Sequence, residues 1–155
     1  MSTVDSLGHP STRAAEPGGA SVANEEIPPD IRAVSIAMGA GRVLIGVGLA
    51  ASPEIAMRLL GFPRYQPETL VVSRIAGARD VVMGAATLLS LDDRDRLARA
   101  NLANASADAA DSATFALALA AGGELRGAAI RGLAAAVPAT LVGAWVASRL
   151  RRRPA

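Results

Sequence analysis

Residues 97–122 read LARANLANASADAADSATFALALAAG, and this stretch decides the fold. Asn101, Asn104, Asp108, Asp111 and Ser112 follow a spacing of three, four, three and one residues. On a helix turning by 3.6 residues, those side chains fall within one stripe about 100° wide. The remaining faces are mostly alanine, and from Phe115 onward the segment is almost wholly apolar. Hydrocarbon cannot solvate such a stripe, so it has to face other helices or a wet cavity. The reading is therefore a membrane helix whose polar side points into a bundle.

Three more apolar windows support that reading. They are residues 33–51 (AVSIAMGAGRVLIGVGLAA), 70–91 (LVVSRIAGARDVVMGAATLLSL) and 127–148 (GAAIRGLAAAVPATLVGAWVAS). Each is about the 20 residues that a helix needs to cross a bilayer core, and none alternates with period two as a strand would. The chain has sixteen basic and fourteen acidic residues, yet the four windows hold only eight of them: Arg42, Arg74, Arg79, Asp80, Arg99, Asp108, Asp111 and Arg131. A soluble Ala-rich bundle is the alternative architecture. It needs a polar face on every helix, and the first and last windows, with one charge each, have none. The expected fold is all-α: four transmembrane helices, with a short interfacial helix after the first and a disordered N-terminal tail.

The expected organisation has three parts: a disordered cytoplasmic tail over residues 1–31, a four-helix transmembrane domain over 32–150, and a basic tail over 151–155. The first part is rich in Ser, Gly, Pro and Glu. It lacks the basic start and apolar run of a secretory signal. Asp30, after Pro28-Pro29, stands where a helix cap belongs. Between the first two spans, PEIAMRLLGFPRYQPE (residues 53–68) sets Ile55, Ala56, Leu59 and Leu60 opposite Glu54 and Arg58. That is a short surface helix, closed by Gly61 and Pro63, with Phe62 and Tyr65 at interfacial depth. Pro138 in the middle of the last span removes one backbone hydrogen bond and should kink it.

Charge sets the orientation. All sixteen basic residues are arginine. Arg13, Arg32, Arg94, Arg96, Arg99, Arg149, Arg151, Arg152 and Arg153 fall on one side of a four-span topology, and Arg58, Arg64, Arg126 and Arg131 on the other. The positive-inside rule then places both termini in the cytoplasm of a multi-pass inner (cell) membrane protein. The pI of about 10.3 reflects guanidinium groups that do not titrate below that pH. With net charge only +2, it does not indicate a nucleic-acid partner.

Several chemistries are excluded. There is no Cys, and the one histidine, His9, lies in the polar tail. This removes disulfides, thiolate nucleophiles, Ser-His-Asp catalysis and His-rich metal sites, and no metal is expected. No Gly-rich phosphate loop is present.

What remains is an interior polar cluster, predicted to comprise Arg42, Arg79, Asp80, Asp108 and Asp111, supported by Asn104. Asp108 or Asp111 paired with Arg42 or Arg79 would neutralise both charges in low dielectric. A functional reading makes the cluster a ligand, proton or substrate site; a purely architectural reading makes it an ion-pair network that fixes helix register. Three functions follow. The first is binding of a small amphipathic molecule, or of a partner membrane protein, around the cluster, with the bilayer and a homo-oligomer as further partners. The second is an enzyme on a lipid-soluble quinone or isoprenoid, with Asp108 or Asp111 as acid or base. The third is a small transporter or proton pathway. An internal repeat at a separation of 38 residues aligns Gly39 with Gly77, Ala40 with Ala78, Gly46 with Gly84 and Ser52 with Ser90, and sets Arg42 opposite Asp80. Its glycines are expected to pack helix against helix.

The loop RLLGFP, the helix SRIAGARDVVMGAATLLSL with its R-x2-G-x-RD-x3-G pattern, and the acidic third helix together resemble a group of uncharacterised bacterial four-helix integral membrane proteins. That group is loosely similar to DoxX-like membrane proteins. The resemblance spans about residues 32–150. It implies that Arg79-Asp80 and Asp108 or Asp111 are the group's polar positions, and the DoxX-like link implies an association with redox or quinone-related membrane complexes.

Overall fold

The computed structural model describes residues 26–62, 64 and 66–152. Most of the expected N-terminal tail, with His9, and also Pro63, Tyr65 and Arg153, lie outside the described residues. Of the described residues 88% are helical, with no strand among them.

The helices are α1 (Pro29–Ala51), α2 (Pro53–Leu60), α3 (Pro67–Leu88), α4 (Arg94–Ala121) and α5 (Arg126–Arg151), with a 3-10 turn at Gly123–Leu125. Proline opens three of them. Pro29, Pro53 and Pro67 stand in the first turns of α1, α2 and α3, where the missing N–H costs nothing and φ is already helical. The expected cap at Asp30 is corrected here. The cap position belongs to Pro28, and Asp30 lies inside the first turn, where its charge faces the positive end of the helix dipole. α1 starts at Pro29, three residues before the expected start of the helical domain at residue 32. At the other end α5 runs on to Arg151, one residue into the expected basic tail.

α2 ends at Gly61, whose φ of +85° is the left-handed conformation that glycine adopts freely. A Cβ there would also run into the Arg131 guanidinium. None of the predicted apolar face of α2 is buried: Ile55 and Leu59 are exposed and Ala56 and Leu60 half-buried, while the buried residues are Pro53 and Met57. α4 starts cleanly because Asp93 caps it, accepting a hydrogen bond from the Arg96 backbone N–H at 2.8 Å. α5 remains helical through Pro138.

Packing follows from side-chain size. α1 lies antiparallel along α3, and α4 along α5. Between α1 and α3 the contact is nearly backbone to backbone. A Cβ at Gly84 would lie 2.6 Å from the Gly39 carbonyl oxygen, and one at Gly46 would lie 2.6 Å from that of Gly77. The repeat explains the pattern, since equally spaced glycines on two antiparallel helices meet crosswise. Pro29 and Pro67, Val34 and Val72, Ser35 and Ser73, and Val43 and Val81 extend the same 38-residue correspondence. The Gly39/Gly46 face of α1 is therefore covered by α3, as expected of packing glycines. Gly41 and Gly48 face open space.

The two helix pairs are joined at one end by an apolar cluster of Ile31, Leu97, Ala98, Val146 and Leu150, with Ile27, Val34 and Leu91 against it. Mid-bundle the join is polar. The interior is otherwise small and polar, with Ser35, Ser73, Thr87, Asn101 and Asn104 buried. Large aliphatics point outward; Leu44 is 74% exposed and Leu117 73%.

Two helices have the length and apolarity to cross a membrane, Pro29–Ala51 and Gly123–Arg151. α3, with Glu68, Arg74, Arg79 and Asp80, and α4, with charges through its first two-thirds, carry more ionised groups.

Candidate functional site

The polar join lies near the middle of α1, α3 and α4. Arg42 stands just past the midpoint of α1, and its guanidinium bridges two helices. Its Nη1 donates to Asp80 Oδ1 of α3 at 3.0 Å, and its Nη2 donates to Asp108 Oδ1 of α4. Arg79 makes the second bridge. It grips Asp111 of α4 with two donors, Nη2 to Oδ2 at 2.8 Å and Nη1 to Oδ1 at 3.3 Å. Its Nε and Nη2 each donate to Asp80 Oδ1 at 3.2 Å. Asp80 thus sits between both arginines, and the five charges predicted from the sequence form one network.

The network is graded in burial. Side-chain exposure is 11% at Arg42, 13% at Asp80 and 9% at Asp108, but 39% at Arg79 and 36% at Asp111. The Arg79–Asp111 pair is the open end, between α3 and α4. Deeper along α4 the stripe closes over, through Asp108 and Asn104 to the fully buried Asn101.

Asn104, expected to support the cluster, bonds to a neutral side chain. Its Nδ2 donates to Thr87 Oγ1 of α3 at 2.8 Å, so it supports the join beside the ion pairs rather than within them. Asn101 Nδ2 donates to Leu97 O at 2.9 Å and to Ser35 Oγ of α1 at 3.5 Å. Thr87, which in turn donates to Met83 O, is absent from the site residues expected from the sequence. A signal for it exists, because it stands seven residues after Asp80 and so on the same face of α3. Ser35, fully buried opposite Asn101, carries a similar signal four residues before Gly39.

Satisfaction of these groups is incomplete. Among the described residues three buried side-chain atoms have no hydrogen-bond partner: Asn101 Oδ1, Asn104 Oδ1 and Asp108 Oδ2. All are oxygens, all are acceptors, and all lie on the one α4 stripe. A buried polar atom left without a partner costs about 1–3 kcal/mol, and more when it is charged. Asp108 is the sharpest case. Arg42 holds one of its oxygens and leaves the other bare.

The cluster's chemical repertoire follows from its residue types. It has two guanidinium groups paired with carboxylates, and three carboxylates of which Asp108 keeps a buried oxygen without a partner. Among the described residues no group of three or more His, Cys, Asp and Glu side chains is placed to hold a metal ion. Arg74, Arg99 and Arg131, the other charges of the four windows, are exposed on the outside.

A second polar feature, for which the sequence gives no local sign, closes the apolar end. Arg94, which enters the sequence reading only through orientation, reaches across to the last turn of α5. Its Nε donates to Leu150 O at 2.8 Å and its Nη2 to Arg152 O at 3.1 Å, while Nη1 reaches Glu26 O at 3.4 Å. A cation on those orphan carbonyls caps the helix and complements its dipole. Beside it the Arg96 backbone N–H, reinforced by the Arg96 guanidinium, holds the Asp93 carboxyl below the usual carboxylate range.

Compared with protein-family models, with curated proteins and with solved structures, the chain matches none.

Proposed function

We propose that this chain is a four-span inner-membrane protein that binds a small amphipathic molecule at its interior Arg/Asp cluster. The single observation that carries the binding reading is Asp108 Oδ2, a buried carboxylate oxygen with no partner. A network that served only to fix helix register gains nothing from leaving that oxygen bare beside a half-exposed opening at Arg79 and Asp111.

The membrane part rests on where the apolar residues lie. In the most apolar windows of the two candidate spans only 17% and 28% of residues are buried inside the chain. A core helix of comparable apolarity in a water-soluble protein would be mostly buried. Outward Leu44, Val72, Ile75, Val82, Leu117 and Leu141 suit lipid tails and would form an insoluble surface in water. α3 and α4 complete the four spans because their mid-helix charges Arg79, Asp80, Asp108 and Asp111 are paired with one another and with Arg42, and paired polar groups inside a bundle are tolerated. Arg32, Arg94, Arg96, Arg99 and Arg149 gather at one end, which the positive-inside rule assigns to the cytoplasm. The resemblance to four-helix bacterial membrane proteins accords with the same topology.

Native mass spectrometry of the full chain, purified in mild detergent from its own membranes, tests the binding reading. A discrete co-purifying mass, lost in Asp108→Asn while the fold is kept, is the expected result. No such mass in either protein overturns it.

A second reading has its own observation. Gly41 and Gly48 leave open notches on α1 on either side of the exposed Leu44 and Ile45, into which the side chains of a partner helix could pack. Disulfide crosslinking through Cys placed at Gly48 tests it; absence of any crosslinked species in membranes counts against it.

A further inference from the structure

The unsatisfied atoms of the cluster say what kind of group would complete it. Among the described residues, every buried side-chain atom left without a partner is an acceptor oxygen. Arg42 Nη1 and Nη2 and Arg79 Nε, Nη1 and Nη2 already donate to Asp80, Asp108 and Asp111. A ligand that brings only acceptors, such as a quinone carbonyl, a phosphate or a carboxylate, leaves every one of those buried oxygens without a partner. It would also face the bare Asp108 oxygen, oxygen against oxygen. A ligand that brings N–H donors satisfies atoms that nothing else does.

Charge selects further. Two arginines stand against three aspartates, so the network carries one formal negative charge in excess. Away from water such an excess favours one compensating positive charge. The bare oxygens are not spread over the cluster. Asp108 Oδ2 and Asn104 Oδ1 belong to side chains one helical turn apart on α4, and such side chains are neighbours. Asn101 Oδ1 lies one turn deeper. Asp108 is nine-tenths buried and Asn104 is 2% exposed.

We propose that the ligand is a protonated primary amine with an apolar body, whose ammonium group donates to Asp108 Oδ2 and Asn104 Oδ1. Three N–H donors on one cationic nitrogen match two acceptor oxygens and one excess negative charge. Arg79 and Asp111 mark the side from which the head group arrives, since they are the half-exposed end of the network. The apolar remainder of the ligand stays toward the lipid-facing surface of α3 and α4. This inference rests on the binding reading above and names the ligand class.

The test uses the full chain in lipid nanodiscs with three probes of equal chain length: dodecylamine, dodecyltrimethylammonium and dodecyl sulfate. The expected result is saturable binding of dodecylamine alone. Trimethylammonium carries the charge but no N–H donor, and the sulfate carries only acceptors. Asp108→Asn is expected to weaken dodecylamine binding by about tenfold or more, and Asn104→Ala by less. Asn104→Ala keeps the ion pairs intact, so it remains informative if Asp108→Asn fails to fold. Equal binding of amine and trimethylammonium overturns the donor requirement and with it the proposal. So does an infrared carboxylic-acid band assigned to Asp108 that persists with dodecylamine present, which would place a proton where the ammonium belongs. A co-purifying mass that depends on Asp108 yet proves to be a neutral acceptor sinks the amine while leaving the binding reading standing. Absence of both a co-purifying mass and probe binding sinks both.

Discussion

Gly46 of α1 and Gly77 of α3 face each other backbone to backbone. A Cβ on Gly46 would stand 2.6 Å from the Gly77 carbonyl oxygen, and one on Gly77 would stand 2.5 Å from that of Gly46. Neither obstacle is a flexible side chain, so the helices themselves would have to separate. Gly46→Ala and Gly77→Ala should therefore each destabilise the protein by about 1–3 kcal/mol. Gly41→Ala and Gly48→Ala, with nothing within 4 Å of the added methyl, should be neutral or slightly stabilising, since alanine is the better helix former. Thermal unfolding in mild detergent separates the two pairs. Equal effects at all four positions would remove the packing argument.

The ion-pair network predicts an order of severity. Arg42→Met strands Asp108 and takes one of two arginines from Asp80, and loss of one partner from a buried pair costs about 3–5 kcal/mol. Arg79→Met should cost less, because Asp80 keeps Arg42 and Asp111 is half exposed. Adding Asp80→Asn and Asp108→Asn to Arg42→Met should recover part of the loss by removing the stranded charges. Unfolding free energies of the single and triple variants decide this; a triple variant less stable than Arg42→Met would contradict it.

Asn104 and Thr87 should behave as one unit. The bond from Asn104 Nδ2 to Thr87 Oγ1 at 2.8 Å joins α4 to α3, and such interhelical bonds within membranes contribute about 0.6–2 kcal/mol. Asn104→Ala and Thr87→Val should each destabilise, and the double variant by less than their sum. Strict additivity in a double-mutant cycle would show that the bond is energetically silent.

The Arg94 clamp predicts a local effect. Arg94→Met releases the carbonyls of Leu150 and Arg152 without touching the mid-bundle network. Tryptic cleavage after Arg149 and Arg151 should then accelerate, while cleavage at the α2–α3 loop stays as before. Unchanged cleavage at the end of α5 would mean that the packing of Leu150 and Val146 alone secures it.

Asp93 sets an acid-side dependence. Its carboxyl titrates below the usual range because the Arg96 N–H, then the Arg96 side chain, favour the charged form. A group depressed on folding adds stability that is fully present above its unfolded value, near 4. That stability disappears as pH falls through the lower folded value. Stability of the wild type relative to Asp93→Asn should thus shrink on acidification below about pH 4, where the wild-type cap becomes neutral too. A difference that does not change over that range would refute the cap.

Much of this arrangement is legible in the amino-acid order alone. The spacing of Asn101, Asn104, Asp108 and Asp111 specifies both a helix and its inward face, because period and polarity are local properties of a sequence. The arginines that answer those aspartates are also evident as mid-span charges. Which arginine answers which aspartate is not, since that depends on how α3 and α4 are set against each other. Asn104 shows the limit well. Its position on the stripe is readable, but its bond to Thr87 rather than to a charge is decided by the height of one helix against another. The cap does not fall at Asp30 because proline at the first helical position outweighs a good capping residue one step later. Two candidate spans, α1 and α5, stand out by apolarity alone; α3 and α4 do not, because charges interrupt their apolar residues, and the pairing of those charges across the bundle is not visible in either window.

The crosswise meeting of α1 and α3 has a consequence for how such a cluster comes to exist. Two identical helices packed about a two-fold axis bring the residue at the axis against its own copy. In such an isologous pair the position of Arg42 would meet another arginine, and that of Asp80 another aspartate, each a repulsive contact. The bond between Arg42 and Asp80 at 3.0 Å requires two sequences that differ where they cross. A single chain carrying both helices supplies that freedom: its correspondence is kept in the glycines, where sameness permits close approach, and broken at Arg42 and Asp80, where difference permits an ion pair.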